Sequence, residues 1–152
     1  MFEVTYRVAG TSDVPAMARI RRANSGSEEY WKKRIARYLQ GEHHPQMALP
    51  PRIAYVAEAS DSVIGFIAGH LTRRYGCDGE LQWIDVVAEH SAKGIAGEMV
   101  RLLANWFVEH QAKRICVDPG NDRAKRFYEK HGAEKLNQHW LVWSDIQSMF
   151  SA

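Results

Sequence analysis

The junction between a strand and a helix at residues 84–100 is the part of this sequence best suited to chemistry. A mostly β-branched run ends there in a short polar turn, and the helical pattern opens with Gly94, Ala96 and Gly97. A backbone so lightly covered lets a ligand approach, and the unpaired N–H groups and dipole of a helix start favour an anion, typically a phosphate. An ordinary strand-to-helix turn that uses small residues for packing explains the same pattern equally well.

Two carboxylates, Glu80 and Asp85, belong to the strand that we predict at residues 80–87. The strand is almost continuously apolar, which is typical of a central strand covered on both faces. Burial of an unpartnered carboxylate there costs several kcal/mol. Strand alternation puts Glu80 and Asp85 on opposite faces unless a bulge shifts the register. His70, at the end of the preceding strand, is a weaker candidate, because a histidine with satisfied hydrogen bonds explains it more simply.

Two further groups of residues were considered for binding. Asn121, Phe127 and Tyr128 lie in a predicted helix at about residues 121–131, with Asn121 or Asp122 as its N-cap. Adjacent histidines at residues 43–44 have no Cys, Asp or third His at ligand spacing, so we predict no metal site.

The elements that would position these residues follow the order β-α-α-β-β-β-α-β-α-β(β), a mixed α/β class in one domain, residues 1–152. The three prolines at residues 41–51 predict a loop, and Ser25 and Glu28 have capping-box spacing for the second helix. The β-α-β unit at residues 80–117 predicts a parallel pair of strands, and such sheets bind ligands beyond the carboxyl ends of their strands.

Composition narrows the class of protein. The chain has 152 residues, 45% of them hydrophobic and 25% charged, as in ordinary globular domains. No apolar run approaches the roughly 20 residues that cross a bilayer, and the first residues do not resemble a signal peptide. We therefore expect a cytoplasmic protein with no membrane partner. A formal charge of +2 does not predict a polyanion partner.

Two segments carry a resemblance to the GNAT superfamily of acetyl-CoA-dependent N-acetyltransferases. Residues 91–96 resemble its phosphate loop, Q/R-x-x-G-x-G/A, with Ser91 in place of the usual Gln or Arg. Residues 121–132 resemble its N-x-x-A-x-x-F-Y-E-K-x-G segment almost letter for letter. The resemblance implies the GNAT fold, a mixed but mostly antiparallel sheet of six or seven strands flanked by about four helices.

The resemblance also implies which residues bind acetyl-CoA. Backbone groups of Val86 and Val87 would pair with the pantetheine arm, Asn121 would hold that arm near its thiol, and Lys93 would add positive charge. The pyrophosphate would lie on the amides around Ala92, Gly94, Ile95, Ala96 and Gly97.

For catalysis, the resemblance implies direct attack of a primary amine on the thioester. Tyr128 lies where many members keep a tyrosine that protonates the leaving thiolate, although packing beside Phe127 would also explain it. Glu80 lies eleven positions before Ser91, an offset at which some members have their catalytic glutamate. Asp85 is the alternative base, and proton loss through water alone is a third route.

Other functions remain open at this point. Ser91 slightly favours a catalytically silent acyl-CoA-binding or regulatory domain. Basic residues in the first two helices allow nucleic-acid binding, but a solvated face explains them better, so we predict no nucleic-acid partner. The same residues would suit an acceptor with a carboxylate or phosphate. A homodimer through the aromatic C-terminal strand is a further expectation, which a buried core strand would explain equally well.

Overall fold

The computed structural model describes residues 3–23, 26–91 and 93–150. Within those ranges it has seven strands and four α-helices, in the predicted order. They are β1 (Thr5–Val8), α1 (Val14–Arg21), α2 (Glu28–Leu39), β2 (Ala48–Ala59), β3 (Ser62–Thr72), β4 (Gly79–Val86), α3 (Ile95–Glu109), β5 (Ile115–Val117), α4 (Asp122–Lys130), β6 (Glu134–Lys135) and β7 (Leu141–Trp143).

All seven strands form one sheet in the order β1-β2-β3-β4-β5-β7-β6. Every neighbouring pair is antiparallel except β4 and β5, which are parallel. This confirms the predicted mixed α/β class and the parallel pair around α3. The parallel pair lies near the middle of the sheet, so the ends of β4 and β5 are covered by helices from both faces.

Helices cover the two faces of the sheet through separate apolar clusters. On one face, Met17 of α1 and Ile35 of α2 pack in the same cluster as Phe66 of β3. On the other face, Met99 and Leu103 of α3 pack over the central strands. These side chains are fully or almost fully buried. The spacing of three and four residues between buried positions is what the helical periodicity predicted.

The prediction of a loop throughout residues 41–51 was wrong, because β2 already begins at Ala48. Leu49 pairs with Leu71 and Arg52 pairs with His70, so Pro50 and Pro51 form a bulge between them. Prolines donate no ladder hydrogen bond, and strands tolerate them at bulges and edges. The sequence pattern did not reveal a strand that resumes across two prolines.

The start of α2 is capped by Ser27, whose Oγ accepts a hydrogen bond of 3.1 Å from the backbone N–H of Tyr30. The capping box that we predicted from Ser25 lies outside the described residues. Both serines precede the same acidic first turn, and spacing alone did not distinguish them.

The C-terminal aromatic strand contributes to the core. Trp143 is 2% exposed, and its Nε1 donates a hydrogen bond of 3.0 Å to the carbonyl of His131. Trp140 is half-buried and lies against the guanidinium of Arg74, 4.6 Å from the ring centroid. A core strand therefore accounts for Trp143, and the homodimer stays a prediction that sedimentation would test.

Candidate functional site

A cleft of about 1790 Å³ opens where β4 and β5 separate. The two strands pair only from Gly79 and Ile115 to Leu81 and Val117, whereas β4 continues to Val86 along β3. The last residues of β4 therefore lack a paired strand on the β5 side. The volume exceeds the roughly 300–1,000 Å³ of a site for one small ligand, so the cleft has room for two reactants.

The free edge of β4 offers backbone groups to the cleft. The N–H of Val87 donates a hydrogen bond of 2.8 Å to the carbonyl of Ile64, so Val87 turns its N–H toward β3. Because these directions alternate along an antiparallel strand, Val86 and Ile84 turn theirs to the open side. Of the two residues implied to pair with a ligand, Val86 is thus the better placed.

At the carboxyl end of β4, the start of α3 also faces the cleft. Gly94 is the N-cap, with a φ of 82° that favours glycine, and a Cβ there would point into open space. The N–H of Glu98 bonds the carbonyl of Gly94, so the N–H groups of residues 95–97 precede the intrahelical ladder. Three donors at the positive end of a helix form a site for an anion.

Around this helix start, the side chains contribute little. Ser91 donates its hydroxyl to the carbonyl of Ala88 at 2.9 Å, which closes the short 3-10 helix Ala88–His90. Lys93 is exposed, and Ala92 lies outside the described residues. The cradle is therefore built mainly from backbone, which explains how a serine fits where relatives of this pattern have Gln or Arg.

A bulge in β4 brings the two candidate carboxylates to the same face. Leu81 pairs with Gly69 and Trp83 with Ala68, so Gln82 is an extra residue in the strand. The extra residue reverses the alternation between Glu80 and Asp85, and both side chains project toward α1 and α2. The exception that the sequence left open is the one that the structure adopts.

Glu80 is held by a buried polar network. It is 4% exposed, and its Oε1 accepts a hydrogen bond of 3.1 Å from Nε of Arg74. Nε2 of His70 lies 3.5 Å from the same oxygen, and Nδ1 of His70 is 2.8 Å from the hydroxyl of Tyr38. His70 is 0% exposed. Its role is therefore to orient Glu80 rather than to meet a ligand directly.

Asp85 joins β4 to the first helix. It is 9% exposed, and its Oδ2 accepts a hydrogen bond of 2.9 Å from Arg21 of α1. The guanidinium of Arg21 also lies over the ring of Trp31, 5.0 Å from its centroid. This ion pair fastens α1 to the sheet beside the cleft.

Tyr128 of α4 lines the cleft and is 4% exposed. Burial raises the pKa of its phenol, the charges of Asp85 and Asp118 raise it further, and Arg21 partly offsets them. The phenol therefore stays protonated at and well above neutral pH, as a proton donor must. The electrostatic influence of Asp85 places the phenol on the β4 side of the cleft, opposite the free strand edge.

Asn121 is the N-cap of α4, and its Oδ1 accepts a hydrogen bond of 2.8 Å from the N–H of Ala124. The side chain is exposed and borders the cleft. With its oxygen used by the cap, its Nδ2 is the group that faces a ligand.

This arrangement can be compared with known proteins. The sequence profile of the acetyltransferase (GNAT) family matches residues 19–133. The chain belongs to the GNAT family. It is therefore an acetyltransferase by family, and the cleft, the cradle and Tyr128 lie within the matched residues. A search of curated proteins gave no match.

Solved structures share the GNAT fold with this chain at low sequence identity. A GNAT-family protein from Desulfovibrio desulfuricans aligns with a TM-score of 0.76 and 12% identity, over 95% of this chain and 99% of its own. An aminoglycoside N-acetyltransferase solved with CoA gives 0.73 and 16%, over 91% and 92%. The PaiA N-acetyltransferase of Thermoplasma acidophilum, solved with coenzyme A, gives 0.66 and 16%, over 92% and 96%.

Two general features of the described residues bear on other classes of protein. No helix among them is long and apolar enough to cross a membrane. No group of three or more His, Cys, Asp or Glu in the described ranges is arranged to hold a metal ion.

Sequence reasoning missed several residues of the cleft. Arg74, which bonds Glu80, belongs to the 3-10 helix Arg74–Gly76, and Trp140 packs on it from the other end of the chain. Neither belongs to a motif, so no sequence signal identified them. His43 and His44 were interpreted as ordinary loop residues, yet both line the cleft.

Proposed function

We propose that this GNAT protein transfers an acetyl group from acetyl-CoA to a primary amine by direct attack. One observation carries the proposal: the buried, protonated phenol of Tyr128 lines the same cleft as the free edge of β4 and the unpaired amides that open α3. Such a cleft suits a long ligand with a phosphate at one end and a reactive carbonyl at the other. Coenzyme A is bound in two of the compared structures.

The cofactor would lie along the β4 edge. Val86 and Val87 mark the strand edge that would pair with the pantetheine arm, and Asn121 would bond the arm through Nδ2. The pyrophosphate would bind the amides of residues 92–97, namely Ala92, Lys93, Gly94, Ile95, Ala96 and Gly97. The positive end of α3 stabilises that charge, and the ammonium of Lys93 is close enough in sequence to add to it.

The reaction then needs one base and one acid. The amine nitrogen forms a bond to the thioester carbonyl carbon and passes its proton to Glu80, directly or through water. The carbon–sulfur bond breaks, and Tyr128 donates its proton to the departing thiolate. Phenol and thiol have similar proton affinities in water, so this transfer is close to balanced.

Glu80 suits the base better than Asp85 does. The carboxylate of Asp85 is committed to the ion pair that docks α1, whereas Glu80 lines the cleft and is oriented from behind by His70 and from the side by Arg74. An oriented carboxylate at the wall of the acceptor side can receive a proton without rearrangement.

Calorimetric titration with acetyl-CoA, followed by thiol release with a panel of amines, tests the proposal. We expect micromolar binding and acceptor-dependent release of CoA. Absence of binding at millimolar acetyl-CoA would overturn the proposed function.

A further inference from the structure

The structure sorts the basic residues of α1 and α2 by what they face. Of the seven that the sequence contains, three line the cleft: Arg19, Arg21 and Arg34. Arg21 is paired with Asp85, and Arg19 is exposed at the rim. Arg34 is half-buried in the wall and is therefore the one placed to meet a reactant.

Arg34 has no carboxylate partner among the described residues. Its NH1 donates a hydrogen bond of 2.9 Å to the hydroxyl of Tyr30, and its guanidinium lies 5.9 Å from the ring centroid of Trp31. Its Nε is buried without a hydrogen-bond partner. A guanidinium held by a neutral phenol and a ring keeps its full charge and much of its donor capacity.

His43 brings a second unpartnered donor to the same wall. Its Nε2 is buried with no hydrogen-bond partner, and the residue lines the cleft. The loop that carries it is fixed, because Arg52 donates hydrogen bonds of 2.7 Å to the carbonyl of His43 and 2.9 Å to that of Tyr38. The loop thus presents the imidazole in one position.

No carboxylate neutralises this part of the wall. Burial lowers the pKa of His43, and Arg34, Arg52, His44 and Arg37 lower it further by repulsion. Every charged neighbour that acts on this imidazole is basic. We call Arg34, His43 and His44 the basic corner; it lies on the acceptor side of the cleft, where Glu80 is the nearest feature with a catalytic assignment.

We propose that the acceptor amine carries an anionic group, a carboxylate or a phosphate, that binds Arg34 and His43 in the basic corner while its amine faces Glu80. The inference rests on the proposed function. A guanidinium binds either group through paired, charge-assisted hydrogen bonds. The anion would supply the partners that Nε of Arg34 and Nε2 of His43 lack.

Matched acceptors test the inference. Thiol release is measured with L-amino acids, with their methyl esters and decarboxylated amines, and with 2-aminoethyl phosphate. We expect at least a tenfold lower KM for an anionic member than for its uncharged counterpart. The phosphate and carboxylate arms decide which anion the corner prefers. If esters and simple amines serve equally well, the inference is wrong, although their thiol release would still support acetyl transfer.

Two variants of α2 make the test specific to Arg34. Arg34→Gln should raise the KM of the anionic acceptors by about 10- to 100-fold, which is the range for one lost charge-assisted hydrogen bond. It should leave the KM of the esters within about twofold. Lys33→Gln removes the same charge from an exposed residue of the same helix and should change neither. Equal effects of both variants would contradict a specific site.

Binding without turnover gives a second readout if no panel member is acetylated. CoA-saturated protein is titrated calorimetrically with benzoate, phenyl phosphate and benzyl alcohol, so that the cofactor's own phosphate site is already filled. We expect the two anions to bind, binding to weaken at least tenfold in Arg34→Gln, and Lys33→Gln to behave as wild type. Indifference of anion binding to Arg34 would overturn the inference, and failure of CoA itself to bind would instead refute the proposed function. Circular dichroism confirms that each variant is folded.

Discussion

At the scale of single residues, the chemistry depends on groups whose protonation the fold controls. Tyr128 is kept neutral by burial and by the nearby carboxylates, and Glu80 is held in one orientation by Arg74 and by the His70–Tyr38 pair. Each group needs the other, because the attacking amine loses a proton as the leaving thiolate gains one.

Replacement of Tyr128 by Phe tests the proton donor. Phe keeps the edge contact with Trp143, at 5.8 Å between ring centroids, but lacks the hydroxyl. We expect turnover to fall about 100-fold or more while the Kd for acetyl-CoA, measured by calorimetry, stays within about twofold. Tyr75→Phe, at an exposed tyrosine, should leave turnover unchanged. Equal losses of turnover and affinity would remove Tyr128 as the acid.

The pair Glu80→Gln and Asp85→Asn separates the two carboxylates. Both replacements keep an oxygen that accepts the arginine hydrogen bond, so both should fold. Glu80→Gln should lower kcat/KM by about 100-fold or more and remove the acidic limb of its pH profile. Asp85→Asn should chiefly lower the thermal midpoint, because a partly buried ion pair is weakened. The opposite pattern of activity loss would assign the base to Asp85.

At the scale of elements, the cleft exists because β4 and β5 pair over only three residues each. β4 then ends against α3, whose first turn lacks a side-chain cap and leaves its amides for a ligand. The bulge at Gln82 adds the carboxylates, since it turns Glu80 and Asp85 to one face. Strand separation, bulge and helix start together place acid, base and anion cradle around one space.

Two glycines with the same backbone conformation test the helix start. Gly94 has a φ of 82° and Gly41 a φ of 77°, and a Cβ at either would meet nothing within 4 Å. Ala at either position should cost about 1–2 kcal/mol of unfolding free energy. Only Gly94→Ala should also weaken CoA binding, by about tenfold in calorimetry, because its Cβ enters the anion cradle. Unchanged affinity in Gly94→Ala would move the phosphate site elsewhere.

At the scale of the whole molecule, the cleft is a junction between the two layers. α1 and α2 reach it from one face of the sheet, and α3 and α4 reach it from the other. A ligand that spans the cleft contacts both layers, so binding should stabilise the chain as a unit.

Thermal unfolding measures that stabilisation. At a CoA concentration one hundred times its Kd, binding adds about 2.7 kcal/mol to the unfolding free energy. For a chain of this length, that corresponds to a rise of roughly 5–10 °C in Tm, followed by circular dichroism. Benzyl alcohol, which lacks a phosphate, serves as the control and should cause no such rise. A Tm that does not respond to millimolar CoA would contradict the cofactor site.

The sequence by itself determined the order of elements, the parallel pair around α3 and the family. Those properties follow from local patterns: alternation and helical periods, glycines at a helix start, and a twelve-residue segment that starts at its N-cap Asn121. Only the tertiary structure decided that β2 crosses Pro50 and Pro51, that Gln82 bulges, and that Arg74, His43 and Arg34 meet at the cleft. These outcomes depend on register between strands and on contacts between distant segments, which no local pattern encodes.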